Sequence, residues 1–341
     1  MQQRLNAGLD LCRIAACFMV IILHIASAGA LQLDDNWMSS NIYNSLVRSC
    51  VPLFLMLSGA LLLNRTEGAI TFYQKRFVRI LPPLLFWSVF YALWRTTLGT
   101  GHGSLWQAAV AMLHGPVYYH LWYLYAIIGI YLFMPYMAKV YQHCGAQEKR
   151  VFLGLWLVIS CLLPTAAQFN PTLANVVHTY ELFTFMGFAG YAFLGAYVYE
   201  QIRLHGPGNA WVNLAGFATS GALTAAATHA VSMQHGEPNQ VFYSYVSPLV
   251  VLAAICAFRL LLALGGHLVQ HSKLLAELSG CTLGLYCLHV FIMNRASIFY
   301  GPLIEGHSLA WLIPLLAVAV FVLTLVPIYL LRLFKPVRAV I

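Results

Sequence analysis

Runs of about 20 predominantly apolar residues recur from one end of this chain to the other, and that length is what crossing the hydrocarbon core of a bilayer requires. Hydropathy with charge punctuation predicts about ten helices, over residues 9 to 30, 46 to 63, 80 to 98, 120 to 140, 151 to 168, 181 to 200, 211 to 231, 243 to 264, 278 to 297 and 309 to 331. The expected fold is therefore all-α, a polytopic membrane protein, and the composition agrees: of 341 residues 61% are hydrophobic and only 8% charged. The first run extends well past the core of a signal peptide, and no basic leader with a small-residue cleavage site precedes it. It is expected to remain as a helix.

The basic residues that set topology fall on one side. With the N-terminus in the cytoplasm, the inner segments hold Arg4, Arg65, Lys75, Arg76, Arg79, Lys139, Lys149, Arg150, Arg203, Arg259, Lys273, Arg332, Lys335 and Arg338. The outer segments keep Arg48, Arg95 and Arg295, each at a helix end. This is the positive-inside pattern, and it places both termini in the cytoplasm. It also accounts for most of the net charge of +8 without an anionic partner; no basic patch interleaved with aromatics supports nucleic-acid binding. The outer loops, such as QLDDNWMSSN (32 to 41) and QFNPTLANVVHTY (168 to 180), are too short for a folded domain, so residues 1 to 341 are expected to form one membrane domain. The eight cysteines lie mostly in apolar runs without a C-x-x-C pair or ligand-like spacing to histidine, so neither a metal nor a disulfide is expected. No internal repeat of the kind common in transporters is evident.

The first apolar run, LDLCRIAACFMVIILHIASAGA, carries Asp10, Arg13 and His24. His24 follows Arg13 by eleven positions, which returns the helix to within about 20° of the starting direction and raises it about 16 Å. The two side chains therefore share a face, and Asp10, three residues before Arg13, is spaced to meet the guanidinium there. Ionisable groups inside a membrane cost about 2.5–3.5 kcal/mol each on insertion scales and usually line a functional cavity. The plainer alternative has the pair snorkelling to the headgroups and His24 bonding a carbonyl of a neighbouring helix. In KRFVR (75 to 79), Arg76 and Arg79 share a face of the third helix as it enters the bilayer, next to Lys75. Paired guanidiniums make a phosphate clamp, though arginines in this place also serve topology and anionic-lipid contact.

LDLCRIAACFMVIILH resembles the start of the acyltransferase 3 family of integral membrane acyltransferases, whose first helix carries an arginine and a histidine with ten residues between them. RSCVPLFLMLSGALLL (48 to 63), KRFVRILPP (75 to 83), YYHLWYLYAIIGIYLFMPY (118 to 136) and CTLGLYCLHVFIM (281 to 293) resemble it too, in the same order. The resemblance covers the first four helices and the ninth, and extends to the subgroup that O-acetylates surface glycans such as enterobacterial common antigen. It implies a bacterial inner-membrane enzyme that takes acetyl-CoA as acyl donor, with the R-x-x-R pattern of Arg76 and Arg79 at the acyl-CoA. Some members of the family carry an extracellular esterase-like domain; none is expected after the last helix here.

The remaining candidates are weaker as sequence signals. Arg48 stands at the outer end of the predicted second helix, where it either anchors the interface or orients a glycan hydroxyl or a lipid-linked diphosphate. His120 and Trp122 fall where the fourth helix leaves the outer interface, as an aromatic belt would, and Tyr286 and His289 share one side of the ninth helix. Glu181, opening the sixth helix, suits the helix dipole and is given no chemistry. Ser58 lacks a G-x-S-x-G elbow. Together the residues and the resemblance imply a membrane O-acetyltransferase that carries acetyl from cytoplasmic acetyl-CoA to a hydroxyl of a surface saccharide or its lipid-linked precursor. His24, Arg13 and Asp10 are the catalytic candidates, Arg76, Arg79 and Lys75 hold the donor, and Arg48, His120, Trp122, Tyr286 and His289 meet the acceptor. The alternative from another class is a proton-coupled transporter or flippase with Asp10, Arg13, His24 and His289 as a relay.

Overall fold

The computed structural model of the protein describes residues 2–97, 105–180 and 187–341. Helix α1 (Gln2–Ala28) contains no proline and at 27 residues is about 40 Å long, enough to cross a bilayer and extend past it. Helices α2 (Trp37–Val47) and α3 (Cys50–Leu62) form one apolar passage of 26 residues. Arg48 and Ser49 join them with helical backbone angles. The ladder is interrupted at this point because Pro52 has no N–H to offer the Arg48 carbonyl.

The chain continues through α4 (Ala69–Thr97), α5 (Leu105–His114), a short turn at Tyr119–Leu121 and α6 (Trp122–His143). Helices α7 (Ala146–Trp156) and α8 (Leu163–Ala167) are spliced by a π turn at Leu157–Leu162, next to Pro164. There follow α9 (Pro171–Thr179), α10 (Ala189–His205), α11 (Ala210–His235), α12 (Pro248–Gly265), α13 (Ser272–Gly280), α14 (Thr282–Gly306) and α15 (Leu309–Leu331). Among the described residues there is no strand, and eight passages are long and apolar enough to cross a membrane. Helix α10, with 17 residues, and α11, in which Ala, Gly, Ser and Thr dilute the large apolar side chains, correspond to the other two expected helices. Glu181 and the predicted start of the sixth helix lie outside the described residues.

The surface is inverted relative to a water-soluble protein. Leu81, Leu85, Phe86, Val89 and Leu93 of α4 point outward, as do Leu315, Val322, Val326 and Leu330 of α15, while Ser40, Asn41, Asn44, Ser45 and His289 are buried. An apolar exterior of this extent fits hydrocarbon and not water. Helix α1 sits at the centre, packed on α2, α3, α12, α13, α14 and α15. Small residues allow the closest approaches elsewhere: Gly59 of α3 lies against the Ala192 backbone of α10, and Gly195 of α10 lies against the Met56 backbone.

Two expected boundaries move, with consequences for the site. The second passage begins at Trp37 and not near residue 46, so Arg48 stands about 16 Å along it, at the α2–α3 junction and not at an outer mouth. Polar residues at 36 to 45 disguise this stretch as a loop in the sequence; in the structure Asn41, Asn44 and Ser45 are buried against other helices. The predicted ninth helix divides at Cys281, between α13 and α14.

Because Gly195 meets backbone and not a movable side chain, Gly195→Leu forces α3 and α10 apart. The expected cost is at the upper end of the about 1–3 kcal/mol typical of overpacking, read as a lowered melting temperature in detergent. Gly129→Ala on α6, where an added Cβ meets nothing within 4 Å, leaves it unchanged or slightly raised.

Candidate active site

Arg13 is held from two directions. Its Nη1 donates to Asp10 Oδ1 at 3.3 Å on its own helix and to Ser279 Oγ at 2.6 Å on α13. His24, about three turns further on, has its ring stacked 5.2 Å from that of His289 on α14. Both side chains of α1 thus face the α13–α14 stretch, as their spacing requires.

Arg13 lines a cavity of about 270 Å³ together with Arg65, Arg76 and Arg79. Its walls come from Phe54, Leu57, Ser58 and Leu61 of α3, Ile80 of α4, and Tyr123 and Tyr131 of α6. The Ser58 hydroxyl is occupied by the Phe54 carbonyl at 3.1 Å and the Tyr131 hydroxyl at 3.3 Å, which fits a wall residue and not a nucleophile. Along α3 the lining runs from Phe54 to Leu62, about 12 Å, and Arg65 lies just past the end of that helix. The cavity is strongly cationic. Among the described residues, Asp10 pairs with Arg13 and Glu67 with Arg76 (2.9 Å), which leaves the charges of Arg65 and Arg79 uncompensated by an ion pair. Four guanidinium forks converging on one space suit a polyphosphate ligand, each fork matching two phosphate oxygens.

Lys75 is placed differently from its neighbours. Its ammonium is exposed and bonded to the second oxygen of Glu67 at 2.8 Å, outside the cavity lining. Glu67 therefore bridges Lys75 and Arg76 and sets the direction of the Arg76 fork. Its carboxyl is held below its ordinary range, chiefly by the Lys75 hydrogen bond and then by the charges of Arg76, Lys75 and Arg65. Glu67 and Arg65 are contributions that the sequence reading missed; an acidic residue eight positions before a basic cluster, in a chain with only ten acidic residues, was the available signal.

A second polar group lies beyond Tyr123. His120 and His289 are buried with ring centroids 5.4 Å apart, and His24 stacks on His289 and meets Tyr119 at 5.2 Å. His24 itself is half-buried. His120 Nε2 lies 3.1 Å from the Cys287 carbonyl and His289 Nδ1 lies 2.7 Å from the Tyr286 carbonyl, so these two nitrogens carry the protons. The opposite nitrogens, His120 Nδ1 and His289 Nε2, are then bare acceptors, buried and without a protein partner. Unmet acceptors inside a protein are costly, and these suit an O–H donor. Tyr286 supports the arrangement by donating to the His120 backbone carbonyl, and Tyr91 donates to the Cys287 carbonyl at 2.8 Å.

Arg48 contributes charge near this group. Its guanidinium lies 4.5 Å from the Tyr243 ring centroid and 5.7 Å from that of Tyr245, with no carboxylate in ion-pair contact among the described residues, and His24 is within its electrostatic reach. Trp122 is not brought to the histidines. It stacks on Tyr245 and packs against Phe188, so it buttresses the platform on which Arg48 rests.

The family model for the acyltransferase domain of the acyltransferase 3 family matches residues 6–333, from the first turns of α1 to just past α15. The chain belongs to the acyltransferase 3 family. No curated protein and no solved structure matches it. Family membership makes the protein a multi-pass membrane acyltransferase, and the match spans all four elements that build the arginine cavity, α1, α3, α4 and α6, and α14 of the histidine group.

Because the Glu67 carboxyl is held low when folded, its stabilising contribution is present at neutral pH and lost as pH falls through that lowered value. The melting-temperature difference between wild type and Glu67→Gln is therefore expected at pH 7 and should shrink on acidification below the ordinary carboxylate range. A difference independent of pH would show that the ionised bridge does not matter.

Proposed function

We propose that the protein is an O-acetyltransferase that moves acetyl from cytoplasmic acetyl-CoA to a hydroxyl of a cell-surface saccharide or its lipid-linked precursor, in the bacterial inner membrane. The observation that carries this reading is the convergence of Arg13 with Arg65, Arg76 and Arg79 on one cavity that Tyr123 also lines, with Tyr123 packed on Tyr286, which in turn lies against His120 and His289. A donor with phosphates at one end and a thioester at the end of a thin arm has that shape of charge. Arg65, Arg76 and Arg79 bind the phosphates, and the pantetheine arm runs along Leu61, Leu57 and Phe54 toward Tyr123.

His24 is the general base in this reading. The acceptor hydroxyl oxygen attacks the thioester carbonyl as His24 takes its proton; the tetrahedral species collapses with cleavage of the C–S bond, and the imidazolium returns the proton to the leaving thiolate. Neutral imidazole, with an ordinary pKa of about 6.5, is suited to both transfers. The bare His120 Nδ1 and His289 Nε2 accept hydrogen bonds from other acceptor hydroxyls, and Arg48 supplies positive potential near the developing oxyanion. Arg13, oriented by Asp10 and Ser279, supplies positive potential along the donor arm.

Replacing His24 by Ala is expected to leave a folded, membrane-inserted protein whose kcat is down about 10²- to 10⁴-fold, measured with labelled acetyl-CoA and isolated surface glycan. Full activity in that variant would remove the role. Arg65→Ala, Arg76→Ala and Arg79→Ala should each chiefly raise KM for acetyl-CoA, most strongly at Arg76, whose side chain is buried while those of Arg65 and Arg79 are exposed. Turnover by purified protein in detergent, with no gradient present, separates this reading from a proton-coupled transporter.

A further inference from the structure

We propose that the cavity between the ends of α1, α10, α11 and α12 binds an anionic phospholipid, with its phosphodiester held by Arg4 and Arg259. The cavity has a volume of about 490 Å³, larger than the arginine cavity, and shares no lining residue with it. Arg4 and Arg259 both fall in segments that the positive-inside pattern assigns to the cytoplasm, so the site lies at the inner leaflet. Arg4 stands nine residues before Arg13 on α1, about 14 Å along the helix. The site is thus separate from the proposed donor site, and the inference does not rest on the acyl-transfer reading.

A tight helix crossing sets the floor of the cavity. Gly8 of α1 lies against the Leu262 backbone of α12, and Gly265 of α12 lies against the backbone of Ala7 and Gly8. From that crossing outward, Arg4 and Leu5 line the cavity from α1, and Ala263 and Gly266 line it from the end of α12. The other side is Ile202 of α10 and the turn Gly206–Pro207–Gly208 that leads into α11. Arg259, one turn before Ala263 on α12, reaches this turn: its Nη2 lies 2.8 Å from where a Cβ on Gly208 would stand. Gly208 has φ +80°, so glycine there both suits the backbone and leaves room for the guanidinium.

The charge of the site has no protein partner. No carboxylate lines the cavity, and among the described residues neither Arg4 nor Arg259 is in an ion pair. Helices α1 and α11 begin here while α10 and α12 end here, so their dipoles largely cancel and the positive potential is that of the arginines. Most of the remaining lining is apolar, and Leu204, Trp211 and Leu264 beside it face outward. An outward Trp at the start of α11 fits the level where hydrocarbon meets headgroups. A ligand at this height needs an anionic oxygen group and acyl chains together, which a phospholipid has and a soluble phosphate lacks.

Full-length protein, delipidated in non-ionic detergent, is titrated with phosphatidylglycerol or phosphatidylcholine, and the fraction carrying one lipid is read by native mass spectrometry. Wild type is expected to bind phosphatidylglycerol at least about fivefold more tightly, and Arg4→Gln and Arg259→Gln each to weaken it about fivefold with phosphatidylcholine unchanged. Arg150→Gln, at an exposed inner-side arginine of α7 outside the cavity, leaves both affinities unchanged. Ala263→Phe fills the cavity while keeping every charge, and it also weakens phosphatidylglycerol; it serves as the test if Arg259→Gln does not run as a single species on gel filtration. Equal wild-type affinity for the two lipids overturns the assignment, as does an equal loss in Arg150→Gln or full retention in Ala263→Phe. Displacement of phosphatidylglycerol by excess glycerol 3-phosphate also overturns it, in favour of a soluble phosphate ligand.

Discussion

An arginine among membrane helices has to find oxygen partners within the protein, because hydrocarbon offers none. Arg13 finds Asp10 on its own helix and Ser279 on α13, and this pair of bonds fixes the rotation of the central helix. Once Arg13 is turned toward α13, the helical repeat turns His24 toward α14. The remaining site follows from that rotation: α3, α4 and α6 close around Arg13, and His120 and His289 close around His24. Breaking one contact near residue 13 would therefore be felt about 16 Å away at the imidazole.

Two polar compartments result, with a layer of aromatic rings between them. One is cationic and apolar-walled, with Glu67 outside it tethering Lys75 away and steering Arg76 inward. The other is built from imidazoles locked into single tautomers by backbone carbonyls of one helix turn, Tyr286 and Cys287. On the proposed reading the separation has a use: it keeps the thioester end of the donor apart from water and from the acceptor until the two meet at His24. An open polar tunnel would expose the thioester to hydrolysis.

Arg48 shows how the membrane reverses the ordinary logic of a polar sequence. The stretch from Trp37 to Ser49 carries three serines, two asparagines and an arginine besides its final serine, a composition that in water would suggest an exposed segment. Here it is a packed helix whose polar face turns inward: Asn41 accepts from Tyr243 and Ser45 and donates to the Ala225 carbonyl, and Tyr243 in turn underlies Arg48. The interior network holds a cation at the level of the histidines, and the lipid-facing side keeps Ile42 and Met38.

Length and apolar content alone determined that this chain crosses a membrane many times as helices, since backbone groups in hydrocarbon have few other ways to be satisfied. The spacing of Asp10, Arg13 and His24 likewise determined their common face, because helical geometry is local. Arg76 and Arg79 were legible as a pair for the same reason. Only the tertiary structure decided that Arg65 joins them, that Glu67 bridges Arg76 and Lys75, that Trp122 turns away while His120 and His289 meet His24, and that Arg48 lies at mid-passage. Each of these depends on contacts between helices far apart in the chain, and those contacts are fixed by side-chain packing that no local repeat encodes.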